Sequence, residues 1–324
     1  MAEVTPVTLL IGLPGAGKTT MLNHLLCQPE MAGTAVVAAQ PAPPMWWNAG
    51  CPCCAPRDDV ARALRSLLPR VRRDEVRRVV IETTGLADPG PILATLLSDT
   101  VAASAYRLDG IVGVVDTVNG ASALEQRDMA VRQVAVADRI VLTKTDLVDL
   151  PELHARLWRL NPGAPIVAAR HGAVDPSVVL RGGLFDPTGT APDARAWLDA
   201  EAFAAVNNAE RLRDPTGRDA GIEAFCLTFD RPLPWPGVSG WLERLILTHG
   251  DALLRMKGIL HLHAQHQPVA IHSVGHLLFP PMSLTAWPDG DTRDSRLMFI
   301  TRDLPRAVVE AGLPTFAHAA TADE

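Results

Sequence analysis

The sequence is short of cysteine, of net positive charge and of unbroken apolar runs, and each shortage excludes a class of function. Five cysteines stand among 324 residues, three of them within Cys51-Pro52-Cys53-Cys54, too few and too clustered for a disulfide framework. In a reducing compartment such a cluster holds metal or does redox chemistry. Cys27 and Cys226 lie singly in apolar surroundings and are expected to be buried packing residues. A formal net charge of −6 supplies no positive field for a polyanion, so nucleic-acid binding is not expected. The Arg-rich run from Val60 to Arg78 reads instead as a solvated helix face, because Val60, Leu64, Leu67, Leu68 and Val71 recur at helical spacing. Met1–Thr8 lacks the basic start of an export signal. Residues 31–56 are uncharged, yet Pro41, Pro43, Pro44, Pro52 and Pro56 prevent them from crossing a bilayer as a helix. A soluble, cytoplasmic protein without a membrane partner is expected.

Hydrophobic residues make up 48% of the chain and charged ones 20%, the balance of a folded globular protein, and the length predicts two domains. In the first half, apolar strand patterns at Val7–Ile11, Thr34–Ala39, Arg78–Glu82, Gly110–Asp116, Arg139–Thr143 and Pro165–Ala169 alternate with helical ones at Lys18–Cys27, Asp58–Arg72, Pro91–Leu97, Ala121–Ala137 and Glu152–Leu160. That alternation predicts an α/β domain over residues 1–180 with a mostly parallel sheet covered on both faces. Residues 181–220, rich in Gly, Pro, Asp and Ala, read as a connecting segment with a short helix around Trp197–Val206. A smaller α+β domain follows over 221–315, with strands at Ile222–Phe229, Lys257–His263, Val269–Leu278 and Leu297–Thr301, helices at Val238–Leu254 and Pro305–Ala311, and a tail over 316–324.

The run Gly12-Leu13-Pro14-Gly15-Ala16-Gly17-Lys18-Thr19-Thr20 has P-loop spacing, follows an apolar strand and opens a helix. Backbone N–H groups of Gly15, Ala16 and Gly17 wrap phosphates, Lys18 reaches the β/γ oxygens, and the Thr19 hydroxyl takes Mg2+ beside Thr20. The loop alone does not separate GTP from ATP. Thr143-Lys144-Thr145-Asp146, at the end of the fifth strand, matches a guanine-reading pattern: the Asp146 carboxylate accepts the two N–H donors that adenine lacks, and the Lys144 stem covers the base. Arg170-His171-Gly172 occupies the place of a second base-contacting loop. The strand Arg78–Glu82 ends in an acid, with Gly85 three residues on, as a nucleotide-switch segment does, so Glu82 is the expected partner of Mg2+ or of the attacking water. Asp88 and Asp116 compete for that role.

Cys51, Cys53 and Cys54 place three thiolates in four residues between the second strand and the next helix, where nucleotide-responsive loops lie. Three thiolates bind one soft or borderline cation; a Cys51–Cys54 disulfide is the redox alternative. Together, Gly12–Thr20, Gly50–Cys54, the stretch Glu82-Thr83-Thr84-Gly85-Leu86-Ala87-Asp88-Pro89, Thr143–Asp146 and Leu254-Arg255-Met256-Lys257-Gly258 make a chain that resembles the CobW family of metal-homeostasis GTPases over nearly its whole length. The resemblance implies a GTPase domain followed by a CobW C-terminal domain, zinc or sometimes cobalt as cargo, and GTP-dependent delivery to a client metalloprotein. It also implies that Lys18, Thr19 and Thr20 hold phosphate and Mg2+, that Glu82 serves the switch, that Asp146 reads guanine, and that Cys51, Cys53 and Cys54 ligate the metal.

The chain departs from the family pattern ahead of the cysteines, where Ala38–Trp47 is short and carries no carboxylate, so slow or client-dependent hydrolysis is expected. Trp46 and Trp47 shield the site, dock a client or pack locally. His261 with His263, and His272 with His276, fall in pairs on strand faces; a second metal site and ordinary half-buried histidines are both open readings. Two other functions stand beside the metallochaperone: a nucleotide-gated sensor with negligible turnover, and a P-loop kinase of small metabolites. The client and the oligomeric state, a homo-oligomer included, are not legible.

Overall fold

A computed structural model describes residues 4–38, 57–85, 88–148, 150–176, 221–263, 265–287 and 291–313. The connecting segment, the tail, the expected helix at 197–206, Trp46, Trp47 and the three clustered cysteines lie outside the described residues. The chain divides into two compact units, residues 1–156 with 164–190 and residues 157–163 with 191–324.

The first unit carries a six-stranded parallel sheet in the order β2-β3-β1-β4-β5-β6. Its strands are β1 (Thr5–Ile11), β2 (Thr34–Ala38), β3 (Arg78–Glu82), β4 (Tyr106–Asp116), β5 (Arg139–Thr143) and β6 (Ile166–Ala168). All seven residues of β1 are buried, the signature of a central strand covered on both faces. The chain leaves β1 toward β2 on one side and returns across it to β4 on the other. The carboxyl end of β1 is therefore the switch point of the sheet, where crevices open for ligands. Helices α1 (Lys18–Leu26), α2 (Arg57–Arg72), α3 (Gly90–Ser98), α4 (Thr100–Ala105), α5 (Gly120–Gln126), α6 (Asp128–Val136) and α7 (Pro151–Leu160) connect the strands.

Several expectations are corrected here. The single helix over 121–137 is two, because Arg127 is extended (φ −126, ψ 111) and Asp128 opens a fresh first turn at α6. Helix α4 lacks a long apolar period and was not expected; the Asp99 carboxylate starts it by accepting from Val101 N and Ala102 N. Cys27 is exposed rather than buried, since it caps the last turn of α1 on its outer side.

At the amino ends of β3 and β5, away from the phosphate loop, Asp109 and Asp138 share a buried charge cluster with Arg78, Arg107 and Arg139. Burial pushes the Asp109 carboxyl up to about 7, opposed by the nearby guanidiniums.

The second unit is α+β. Its antiparallel sheet runs β10-β9-β8-β12-β7, with β11 also paired to β9. The strands are β7 (Ile222–Phe229), β8 (Leu253–Leu260), β9 (Val269–Val274), β10 (Leu277–Leu278), β11 (Met282–Ser283) and β12 (Ser295–Arg302). Helix α8 (Trp235–His249) lays Trp241, Leu242 and Leu245 into a core with Phe225, Met256 and Phe299, and the short helix α9 (Arg306–Ala311) closes the unit. The Trp241 ring meets Phe299 edge-on at 6.0 Å. The expected helix 238–254 stops at His249, and β8 begins at Leu253, because a Gly250-Asp251 turn intervenes; an apolar run such as Leu253-Leu254 fits either period. The expected strand 269–278 is a hairpin, folded at Gly275, whose φ is +55.

Candidate functional site

The phosphate loop is shaped by its glycines and tied to three strands. At Gly12, with φ +144, a β-carbon would lie 2.3 Å from the carbonyl oxygen of Val114, so only glycine lets β1 turn into the loop against β4. Thr143, at the end of β5, donates from Oγ1 to Ala16 O at 2.5 Å and bolts the loop to the neighbouring strand. Lys18 is 3% exposed and donates from Nζ to Gly12 O at 2.7 Å and Leu13 O at 3.0 Å, which holds the ammonium along the inner edge of the loop.

Parallel pairing sets Glu82 level with Leu10, so the carboxylate emerges beside the start of α1. Thr19 Oγ1 donates to Glu82 Oε1 at 2.6 Å, and Glu82 is 3% exposed. A hydroxyl and a carboxylate held together beside the loop lysine offer hard oxygen donors of the kind that Mg2+ prefers. Of the competitors, Asp88 is exposed and accepts from Gly90 N at 2.8 Å, at the start of α3. Asp116 accepts from Asn119 N at 2.7 Å and lies 3.5 Å from Lys144 Nζ. Neither faces Thr19 as Glu82 does.

The turn expected to read the base follows β5. Lys144 has a left-handed backbone (φ +58), and Thr117 holds it there by donating from Oγ1 to Lys144 O at 2.8 Å. Asp146 sits in the turn with its side chain 24% exposed. His171 Nε2 lies 3.8 Å from Asp146 Oδ2, so the loop after β6 does meet the turn. In the same loop, a β-carbon on Gly172 would come within 3.0 Å of Thr20 O.

Sequence reasoning missed Thr117 and Gln133. Gln133 donates from Nε2 to Gly85 O at 3.4 Å, and its signal was a lone amide on an otherwise apolar helix face. The clustered cysteines fall outside the described residues, and among the described residues no group of three or more His, Cys, Asp or Glu side chains is placed to hold a metal. The histidine pairs do not converge: His261 meets Trp287 edge-on, His272 stacks on Phe279, and His276 pairs with Asp251 at 2.9 Å. No described helix is long and apolar enough to cross a membrane.

Known proteins match this arrangement. The family described as CobW/HypB/UreG, nucleotide-binding domain, matches residues 44–168, and the cobalamin synthesis protein cobW C-terminal domain matches 222–317. The zinc chaperone YjiA of Escherichia coli is 32% identical over 323 residues, covering 94% of this chain and 96% of that one. A zinc-regulated GTPase metalloprotein activator of Schizosaccharomyces pombe is 31% identical over 197 residues, 53% of this chain and 47% of that one. The crystal structure of Zn(II)-bound YjiA GTPase from E. coli superposes with a TM-score of 0.69 at 28% identity, covering 97% of this chain and 99% of that one. Two successive domain matches and a relative alike along almost its full length place the chain in the CobW family of P-loop GTPases.

Proposed function

We propose that the chain is a GTP-hydrolysing metallochaperone that binds zinc at Cys51, Cys53 and Cys54 and hands it to a client metalloprotein. The observation that carries the nucleotide half is the assembly of Lys18, Thr19 and Glu82 on a loop that Thr143 ties to the guanine-reading strand. Lys18 neutralises the β/γ oxygens, Thr19 and Glu82 hold Mg2+, and Asp146 accepts from guanine. When bound, Mg2+ supplies charge neutralisation at the transferring phosphoryl group. Glu82, fixed by Thr19, orients water at the end of β3.

Zinc is cargo in this reading, with Co2+ as an alternative of the same coordination chemistry. Three thiolates leave a fourth position for water or a ligand of the client, which makes the site a donor rather than a closed structural centre. Coupling to GTP requires that the two nucleotide states differ in metal affinity. The names of the relatives above, zinc chaperone and zinc-regulated GTPase, support the pairing of the two activities.

The test uses anaerobically purified full-length chain. One zinc per chain is expected, with GTP turnover that responds to zinc, and a triple variant Cys51→Ser, Cys53→Ser, Cys54→Ser should lose the metal while still binding GDP. Unchanged zinc content in that variant overturns the metal assignment. Tight GTP binding without turnover, with zinc or without it, favours the nucleotide-gated sensor, the reading suggested by the acid-free stretch before Cys51.

A further inference from the structure

Helix α6 buries Ala130, Val131, Gln133, Val134, Ala135 and Val136, and only Gln133 among these six is polar. At 3% exposure its amide is costly unless its polar atoms are paired. It donates from Nε2 to the main-chain oxygen of Gly85, and the end of the amide that faces Gly85 is dictated by chemistry, since a carbonyl accepts only from the NH2 group.

Gly85 is no ordinary loop residue. It stands three positions after Glu82, and its backbone lies so close to the phosphate loop that a β-carbon would come 2.0 Å from Pro14 N and 2.3 Å from Leu13 C. The loop's own N–H groups serve the inner phosphates of a nucleotide, and Lys18 reaches the β/γ oxygens. The turn after β3 is main chain that borders the loop on the Glu82 side, where a third phosphate would lie.

We infer that Gln133 is a positioning residue for the triphosphate: it holds the Gly85 peptide by its carbonyl against Pro14, and so sets how the turn after β3 meets the terminal phosphoryl group. At 3.4 Å the bond lies at the long end of the hydrogen-bond range. A cavity of about 270 Å3 bounded by Leu13, Pro14, Val114, Asp116, Arg127 and Gln133 lies beside it. GDP lacks the phosphoryl group that this turn would meet, so its binding should not depend on Gln133.

The inference rests on the GTPase reading above. Its test compares full-length wild type with Gln133→Met, which keeps the length and removes the donor, and Gln133→Asn, which keeps the amide one methylene too short. Both should lower kcat about five- to tenfold and weaken a non-hydrolysable GTP analogue by a similar factor, with GDP affinity within twofold of wild type. A merely structural role would weaken GDP and the analogue together. If Gln133→Met does not fold, judged by loss of GDP binding, Gln133→Asn decides on the same criteria. Wild-type kcat and an unchanged analogue-to-GDP ratio in a folded variant overturn the inference. Absence of turnover in wild type counts against the GTPase reading alone, because the affinity ratio still decides the role of Gln133.

Discussion

At the phosphate loop three polar side chains, Lys18, Glu82 and Thr143, are buried and bonded to protein beside the exposed Thr19 and Thr20, whereas the turn after β5 carries its polar groups on partly exposed side chains. Lys18 and Glu82 are each 3% exposed, and Thr143 is 4% exposed. Asp146 and Lys144 are 24% and 33% exposed, and His171 is 84% exposed. The phosphate half relies on preorganised dipoles and charge in a low-dielectric crevice, where each group interacts strongly and little reorganisation is needed. The turn after β5 presents one carboxylate and a left-handed Lys144 held by Thr117, the groups proposed to choose between bases. Affinity should thus reside mainly in the first half and selectivity in the second.

Three substitutions test this division, in falling order of effect. Lys18→Ala removes the buried cation and should lower GTP turnover by about 10²–10³-fold, the scale of losing one preorganised electrostatic stabiliser. Turnover within tenfold of wild type would break the comparison on the phosphate side. Asp146→Ala should reduce the preference for GDP over ADP by about 10–100-fold, as expected for losing hydrogen bonds to a charged acceptor, with ADP affinity little changed. A parallel loss of both nucleotides, measured by titration calorimetry, would mean that Asp146 shapes the pocket rather than reads the base. Thr143→Val keeps the shape and removes the bond to Ala16 O, at a cost of about 1 kcal/mol. GTP and GDP should both weaken about threefold to tenfold with the GTP-to-ATP ratio intact; a changed ratio would blur the boundary between the halves.

The legible part of this site was the part encoded by contiguous residues. Gly12–Thr20 and Thr143–Asp146 are local motifs, and their strands were readable because buried parallel strands are short runs of Val, Ile and Leu flanked by breakers. Less legible was anything decided across the chain. Thr143 was expected at the nucleotide; here it holds the loop from 127 residues away in sequence. The bond from Gln133 to Gly85 spans 48 residues, and no local pattern announces it. In the second unit the helix end near His249 was misplaced because Leu253-Leu254 suits a helix and a buried strand equally, and only pairing with β9 and β12 resolves the choice.

By itself the sequence determined the class of chemistry: glycine spacing, a lysine and a threonine at a helix start, and an acid after the fifth strand are requirements of phosphate and guanine that short segments meet alone. Tertiary structure set which acid stands against the phosphate loop. The sequence ranks Glu82 first and leaves Asp88 and Asp116 as competitors. Parallel register sets Glu82 beside Leu10 and within 2.6 Å of Thr19, while Asp88 meets the start of α3 and Asp116 bonds Asn119. A carboxylate's role follows from what stands within about 3 Å of it, and for residues 63 positions apart that distance is settled by the sheet.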